Sequence, residues 1–410
     1  MDFAGLQDPM CGNPLPVGWK LMRLGDLGSV RYGLGQPPEQ SADGVPMVRA
    51  TNVKRGRLVS DGLIRIKREA IPESRNPYLC AGEIIVVRSG AYTGDVAMVT
   101  HNWAGSVVGY DLVFSSKEQI DPAFCERDRS AQPHLNRQQL ESTAIPVPPV
   151  DEQRKIAAVL GLVQRAIEQQ EGLIELTMEL KKALLHKLFT EGLRGEPQKQ
   201  TEIGPMPESW EVLSLGDVAA IERGKFAHRP RNHPRFYGGS TPFVQTGDVS
   251  NCDGKIRTFS QTLNEEGVGI SKIFPAGTTL ITIAANVGFS GILEFDSACP
   301  DSLIGLTPNH RISAEFLQYY LSTQQPEMDR LAPRGTQKNI NIQFLKPWPI
   351  RLPPTEEQDE IVECLSVVDA KLRSAAKKRR TLDDLFRTLL HQLMTAQIGV
   401  KDLGLPPEET

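Results

Sequence analysis

The sequence predicts an α+β protein in which two repeated globular domains alternate with two long helices that pair as an antiparallel coiled coil. Three observations predict it. From Asp151 to about Gly192 there is no proline, and Ile156, Leu160, Val163, Ile167, Ile174, Leu184 and Leu188 form one apolar stripe at helical spacing. About 40 residues in helix make a rod of about 60 Å. The design returns from Glu356 to about Ile398, where Ile361, Leu365, Val368, Leu372, Ala375, Leu382, Phe386, Leu389 and Leu393 alternate four and three apart. That spacing lets two helices pack along a seam. The third observation is that the stretches ahead of the two helices echo one another in order.

The elements follow from punctuation. Residues 1–147 read as a first globular domain, 148–195 as a central helix and 196–352 as a second globular domain. A C-terminal helix takes 353–400, and 401–410 form a tail. Pro16–Trp19 matches Pro207–Trp210, and each leads into Leu-Gly-Asp, at Leu24–Asp26 and Leu215–Asp217. Pro46–Val53 then matches Pro242–Val249, and Ala81-Gly82 before Ile84–Val87 matches Ala276-Gly277 before Thr279–Ile283. Gly62–Ile66, Glu83–Val87 and Thr278–Ile283 read as strands between Gly and Pro, and Ala314–Ser322 reads as a short helix. Each half closes on a Pro-rich hinge, Ile145–Pro149 or Ile350–Pro354, a sharp stop before the rod. Asp151 and Thr355 read as N-caps, with Glu152, Glu356 and Glu357 in the first turn where the helix dipole favours them.

Composition excludes more than it assigns. At 410 residues with 23% charged side chains and a net charge of −4, the chain has room for two or three domains and no global basicity. No apolar run reaches about eighteen residues, and MDFAGLQDPM lacks the layout of a signal peptide. Six scattered cysteines without a CxxC pair suggest reduced thiols, a cytoplasmic setting and no zinc site.

No complete catalytic motif is present: no phosphate loop, no GxGxxG turn and no HExxH. Asn76-Pro77-Tyr78 lacks the second proline of the amino-methyltransferase pattern and reads as a turn. Asp253-Gly254-Lys255 lacks the preceding acid of a metal-dependent nuclease and reads as a type I′ hairpin turn. Signals for nucleic acid are local. Lys225–Tyr237 carries Lys225, Arg229, Arg231 and Arg235 with histidines, aromatics and no acid. Arg88, Ser89 and Tyr92 follow the longest strand of the first half, and Asn286 occupies the matching place in the second. Arg334, Thr336, Gln337 and Lys338 form a polar turn suited to phosphates. The matched segments Arg49–Asn52 and Gln245–Asp248 differ, which adds Arg49, Asn52 and Gln245 as candidates.

These residues carry a family resemblance. The Trp-to-Leu-Gly-Asp stretches at Trp19 and Trp210, the Gly335–Ile340 run, and the starts Pro148-Pro149-Val-Asp-Glu152-Gln153 and Pro353-Pro354-Thr-Glu-Glu357-Gln358 resemble the DNA-specificity subunit of type I restriction-modification systems. The resemblance covers nearly the whole chain. It implies two target-recognition domains that each read half of a split, asymmetric double-stranded DNA sequence, with the helices as a ruler. It implies methyltransferase subunits, two of them, and restriction-translocase subunits as partners. S-adenosylmethionine, ATP and magnesium would belong to those partners and none to this chain. Two other readings are a self-sufficient nuclease or methyltransferase and a coiled-coil adaptor without DNA binding. One departure stands out: from Phe124 to Asn136 the first half is shorter than the second from Phe316 to Asn341.

Overall fold

The computed structural model describes residues 15–35, 38–54, 56–72, 76–117, 135–228, 230, 232–284, 286–333 and 338–403. Of the segment that shortens the first half, residues 124–134 lie outside them, as do Arg229, Arg231, Arg334, Thr336 and Gln337. The chain forms two compact units, one from residues 1–171 with 377–410 and one from 172–376. Both mix helix and strand, and the division cuts through each long helix, Val150–Glu191 and Thr355–Met394.

In the first unit, Lys20–Arg23 pairs antiparallel with Ala144–Val147, so the strand after Trp19 lies beside the hinge strand. A four-stranded antiparallel sheet follows in the order Gly28–Tyr32, Leu112–Ser116, Ile84–Val86, Val96–Met98. Gln40–Val48 forms a second sheet with Ile64–Ile66 and Val107–Val108. Ile156, Leu160, Val163 and Ile167 of the first long helix share one core with Phe386 and Leu393 of the second, and with Trp19 and Ile145. Glu171 faces Arg379 at 3.8 Å.

The second unit repeats the plan. Glu211–Ser214 pairs with Pro349–Leu352, and Ala219–Arg223, Leu303–Pro308, Thr279–Thr282 and Ser290–Leu293 make the matching sheet with Lys255–Ile256 added at its edge. Leu188 and Phe189 at the end of the first helix share a core with Ile361 and Leu365 near the start of the second. Lys181 pairs with Asp369 at 2.6 Å and Leu193 N–H donates to Glu357 at 2.8 Å. As one helix advances, its partner retreats, so within this unit the two run antiparallel.

The hinge motif has a physical explanation. Pro149 and Pro354 carbonyls accept the N–H groups of Glu152 and Gln153, and of Glu357 and Gln358, at 2.9–3.0 Å. Gln153 and Gln358 reach back to the carbonyls of Pro148 and Pro353. The indole N–H of Trp19 donates to Glu152 at 3.1 Å, and that of Trp210 to Glu357 at 3.0 Å. The prolines supply acceptors where the first turn has orphan donors, so Asp151 and Thr355 fall inside the first turns rather than capping them.

Three further expectations need correction. The helix at Ala314 runs on to Leu331 through Pro326, because Met328 beyond the proline is fully buried. Asp253–Lys255 is not a hairpin turn: it joins the helix Thr246–Ser250 to a strand that pairs parallel with Ser290–Leu293. Asp253 instead pairs with Arg257 and Arg373. Asn76–Tyr78 is extended, with Tyr78 bridged to Val107 and both the Asn76 and Tyr78 carbonyls held by Arg31.

Candidate nucleic-acid interface

In the first unit, Arg88–Thr93 form a loop closed at its base. Val87 N–H donates to Asp95 O, and Gly94 N–H donates to Val87 O, each at 2.8 Å. Ser89 is half-buried and Tyr92 is exposed. The guanidinium of Arg88 lies 4.6 Å from the ring centre of Tyr110 and 5.2 Å from that of Tyr32, a cation–π arrangement on two sides. Below it, Asp111 is 2% exposed and accepts the Arg88 backbone N–H at 3.2 Å. Burial pushes the Asp111 carboxyl up to about 6, against the opposing pull of that N–H and of the Arg88 charge. Arg88 Nε and Asp111 Oδ2 are both buried without a hydrogen-bond partner.

Arg88, Tyr32 and Tyr110 line a cavity of about 480 Å³ together with Arg31, Gly33, Gly35 and Asn76. Arg31 is not free to bind a ligand: it forms a two-pronged ion pair with Glu83 at 2.5 and 2.7 Å. Burial raises the Glu83 carboxyl, but Arg31, Cys80 N–H and Ser115 Oγ–H outweigh it and leave it below its ordinary value. Tyr32, Tyr110 and Asp111 escape sequence reading because strand pairing alone brings them to Arg88: Leu112, next to Asp111, pairs with Tyr32 on one side and with Val86 on the other.

Arg49 is half-buried and donates to Gly62 O at 2.7 Å. Its side chain passes close to Gly109, next to Tyr110. Asn52 has a different job from the one expected. It is fully buried, accepts the Arg49 N–H at 3.1 Å and donates to the carbonyls of Val59 and Asp61. Its amide holds the 49–61 loop and has no donor left for a base.

In the second unit, Asp248 takes the place of Asn52 and accepts Gln245 N–H at 2.8 Å, while the Gln245 amide bonds to Gln261. Asn286 is exposed on the loop after Thr279–Thr282, and a bridge between Ala284 and Asn339 draws the segment carrying Lys338 beside that loop. Lys338 pairs with Asp329 at 2.8 Å, so its charge is partly offset. Lys225 is exposed, but its aromatic neighbours do not interleave with the basic residues. Phe226 and Phe236 are buried with Phe243 in an aromatic core. That loop is hung from its own hydrophobic cluster, and Arg235 pairs with Glu266 at 2.5 Å. Among the described residues there is no cluster of His, Cys, Asp and Glu suited to a metal, and no helix is long and apolar enough to cross a membrane.

The arrangement is a pair of related folds presenting unlike polar loops, suited to recognition. Comparison with known proteins agrees. The chain is 24% identical over 428 residues to the type I restriction enzyme MjaVIII specificity subunit of Methanocaldococcus jannaschii, covering 96% of each chain. It is 21% identical to the type I restriction enzyme EcoKI specificity subunit of Escherichia coli, over 86% of this chain and 82% of that one. A solved type I restriction-modification S subunit from M. genitalium shares the fold, with a TM-score of 0.57 and 16% identity over 93% of this chain and 97% of that one. The family model of the type I restriction modification DNA specificity domain matches twice, at residues 16–177 and 207–383. The chain belongs to the type I restriction-modification DNA specificity family.

Proposed function

We propose that this chain is the non-catalytic subunit that reads a split, asymmetric DNA target and delivers methyltransferase and restriction subunits to it. Each unit reads one half of the target, and phosphate contacts set register while a few side chains read base edges. One observation carries the reading: the two units share a fold but differ at equivalent places along it. By strand register, Tyr32 stands where the second unit has Arg223, and Arg88 stands where it has Ile283. Unlike surfaces on one scaffold fit unlike half-sites.

The two long helices act as an antiparallel coiled coil that fixes the gap between half-sites. They also carry exposed apolar side chains, Leu162 on the first unit's portion and Leu176, Met178, Leu180 and Val367 on the second's, suited to docking a partner. Two methyltransferase subunits dock there. S-adenosylmethionine, ATP and magnesium are held by the partners. The test is genome-wide adenine methylation in cells carrying the chain with its methyltransferase, against cells lacking the chain. A new motif of two short unlike halves around a fixed gap is expected. Stable assembly without any new motif would refute it and favour an adaptor.

A further inference from the structure

We infer that Arg88 reads a guanine in the half-site of the first unit, held over that base by Tyr32 and Tyr110 and positioned from behind by Asp111. The inference rests on the DNA-reading role proposed above and names the base and the residues.

In both units the chain just beyond one strand, Ile84–Val86 or Thr279–Thr282, is pinned in the same way: Leu135 N–H donates to Arg88 O at 2.8 Å, and Ile340 N–H donates to Ile283 O at 3.0 Å. By register, Asp111 is the equivalent of Leu303 in the second unit, since Leu112 pairs with Tyr32 and Val86 as Ile304 pairs with Arg223 and Ile281. Ile283 and Leu303 are 1% and 0% exposed. The second unit thus builds this corner from two buried aliphatic side chains. The first unit puts a half-buried arginine and a buried carboxylate there instead.

That exchange is unfavourable for folding alone, because a buried carboxylate without full partners loses solvation that it does not recover. Asp111 Oδ2 and Arg88 Nε are left without hydrogen-bond partners. What the exchange gives is a guanidinium of fixed orientation. Two rings flank it, the Asp111 carboxylate fixes its backbone, and a cavity opens in front of it. A planar two-pronged donor matches the O6 and N7 acceptors on the major-groove edge of guanine better than any other base edge. The neighbouring Arg31 cannot compete, being held by Glu83 and the carbonyls of Asn76 and Tyr78.

The experiment uses this chain assembled with its methyltransferase subunits, and duplexes carrying the methylated motif found in cells. Each G·C of the first unit's half-site is changed in turn to A·T, or its guanine to 7-deazaguanine, which removes N7. Wild-type complex should lose affinity about 5- to 150-fold at one G·C, as expected for a bidentate arginine–guanine pair. Arg88→Gln and Arg88→Lys should both lose that discrimination while keeping it at every other position. Asp111→Ala should weaken discrimination at the same base pair only, which a merely structural effect would not do. If Arg88→Gln fails to assemble, Arg88→Lys with 7-deazaguanine carries the test. Uniform weakening on all duplexes, with a shallower salt dependence, would make Arg88 a phosphate contact and overturn the inference. Unchanged discrimination, or a half-site without G·C, would overturn it too. A wild-type complex with no sequence preference would instead refute the DNA-reading role on which the inference rests.

Discussion

Replacing Asp111 by Asn should flatten the pH dependence of the first unit's stability. The Asp111 carboxyl is raised from 3.8 to about 6, chiefly by burial. The folded chain therefore holds this proton more tightly than the unfolded chain. Between about pH 4 and pH 6 the folded state binds more protons, so this group's contribution to stability falls as pH rises, and above pH 6 the full penalty is present. A shift of about two pKa units at about 1.4 kcal/mol each gives a penalty on the order of 3 kcal/mol. Asn keeps the shape and an oxygen for the Arg88 N–H, but has no proton to gain. Its stability at any one pH also includes two buried amide N–H groups. The change between pH 4 and pH 7.5 does not. Urea unfolding of wild type and Asp111→Asn at both pH values gives the comparison. At pH 4 the unfolded carboxyl is already about half ionised, so wild type should lose about 2.4 kcal/mol more than the variant on going to pH 7.5. Equal changes in the two proteins would refute the assignment of a strained carboxylate at this place.

Two pairs of substitutions probe the frame. Glu357 is 1% exposed and accepts from the Trp210 indole N–H and the Leu193 backbone N–H, so Glu357→Ala orphans one buried and one partly buried donor and should cost about 2–4 kcal/mol. Glu152→Ala orphans the Trp19 indole N–H alone among the described residues and should cost less, about 1–3 kcal/mol, in the same denaturation assay. Tyr319 O–H donates to Asp369 at 2.6 Å while Lys181 holds the other carboxylate oxygen. Tyr319→Phe should therefore cost about 1.5–3 kcal/mol. Asp369→Ala, which strands the lysine, should cost about 3–5 kcal/mol.

Much of the frame was legible because it is local. A helix stripe needs only i, i+3 and i+4 neighbours, and none of the nine stripe residues of the second helix is exposed. The Pro-Pro-x-x-Glu-Gln pattern was legible as a helix start, but not its Trp partner, since Trp19 and Trp210 lie far away in sequence. Pro326 reads as a helix stop, yet burial of Met328 carries the helix past it. The site was less legible still. Arg88 stood out as a basic residue after a strand, but Tyr32, Tyr110 and Asp111 join it only through antiparallel pairing. Asn52 looked like a base reader by residue type, and its buried hydrogen bonds show that it holds a loop. Polar side chains that read a ligand and those that brace a turn are the same residue types. Only their partners distinguish them.

The modular claim is tested most directly by exchanging residues 205–350 for those of another family member and mapping methylation in cells that carry the methyltransferase. One half of the motif should change, while the other half and the chemistry of the methylated base stay as in wild type. Change in both halves, or in neither, would mean that the units do not each read their own half-site.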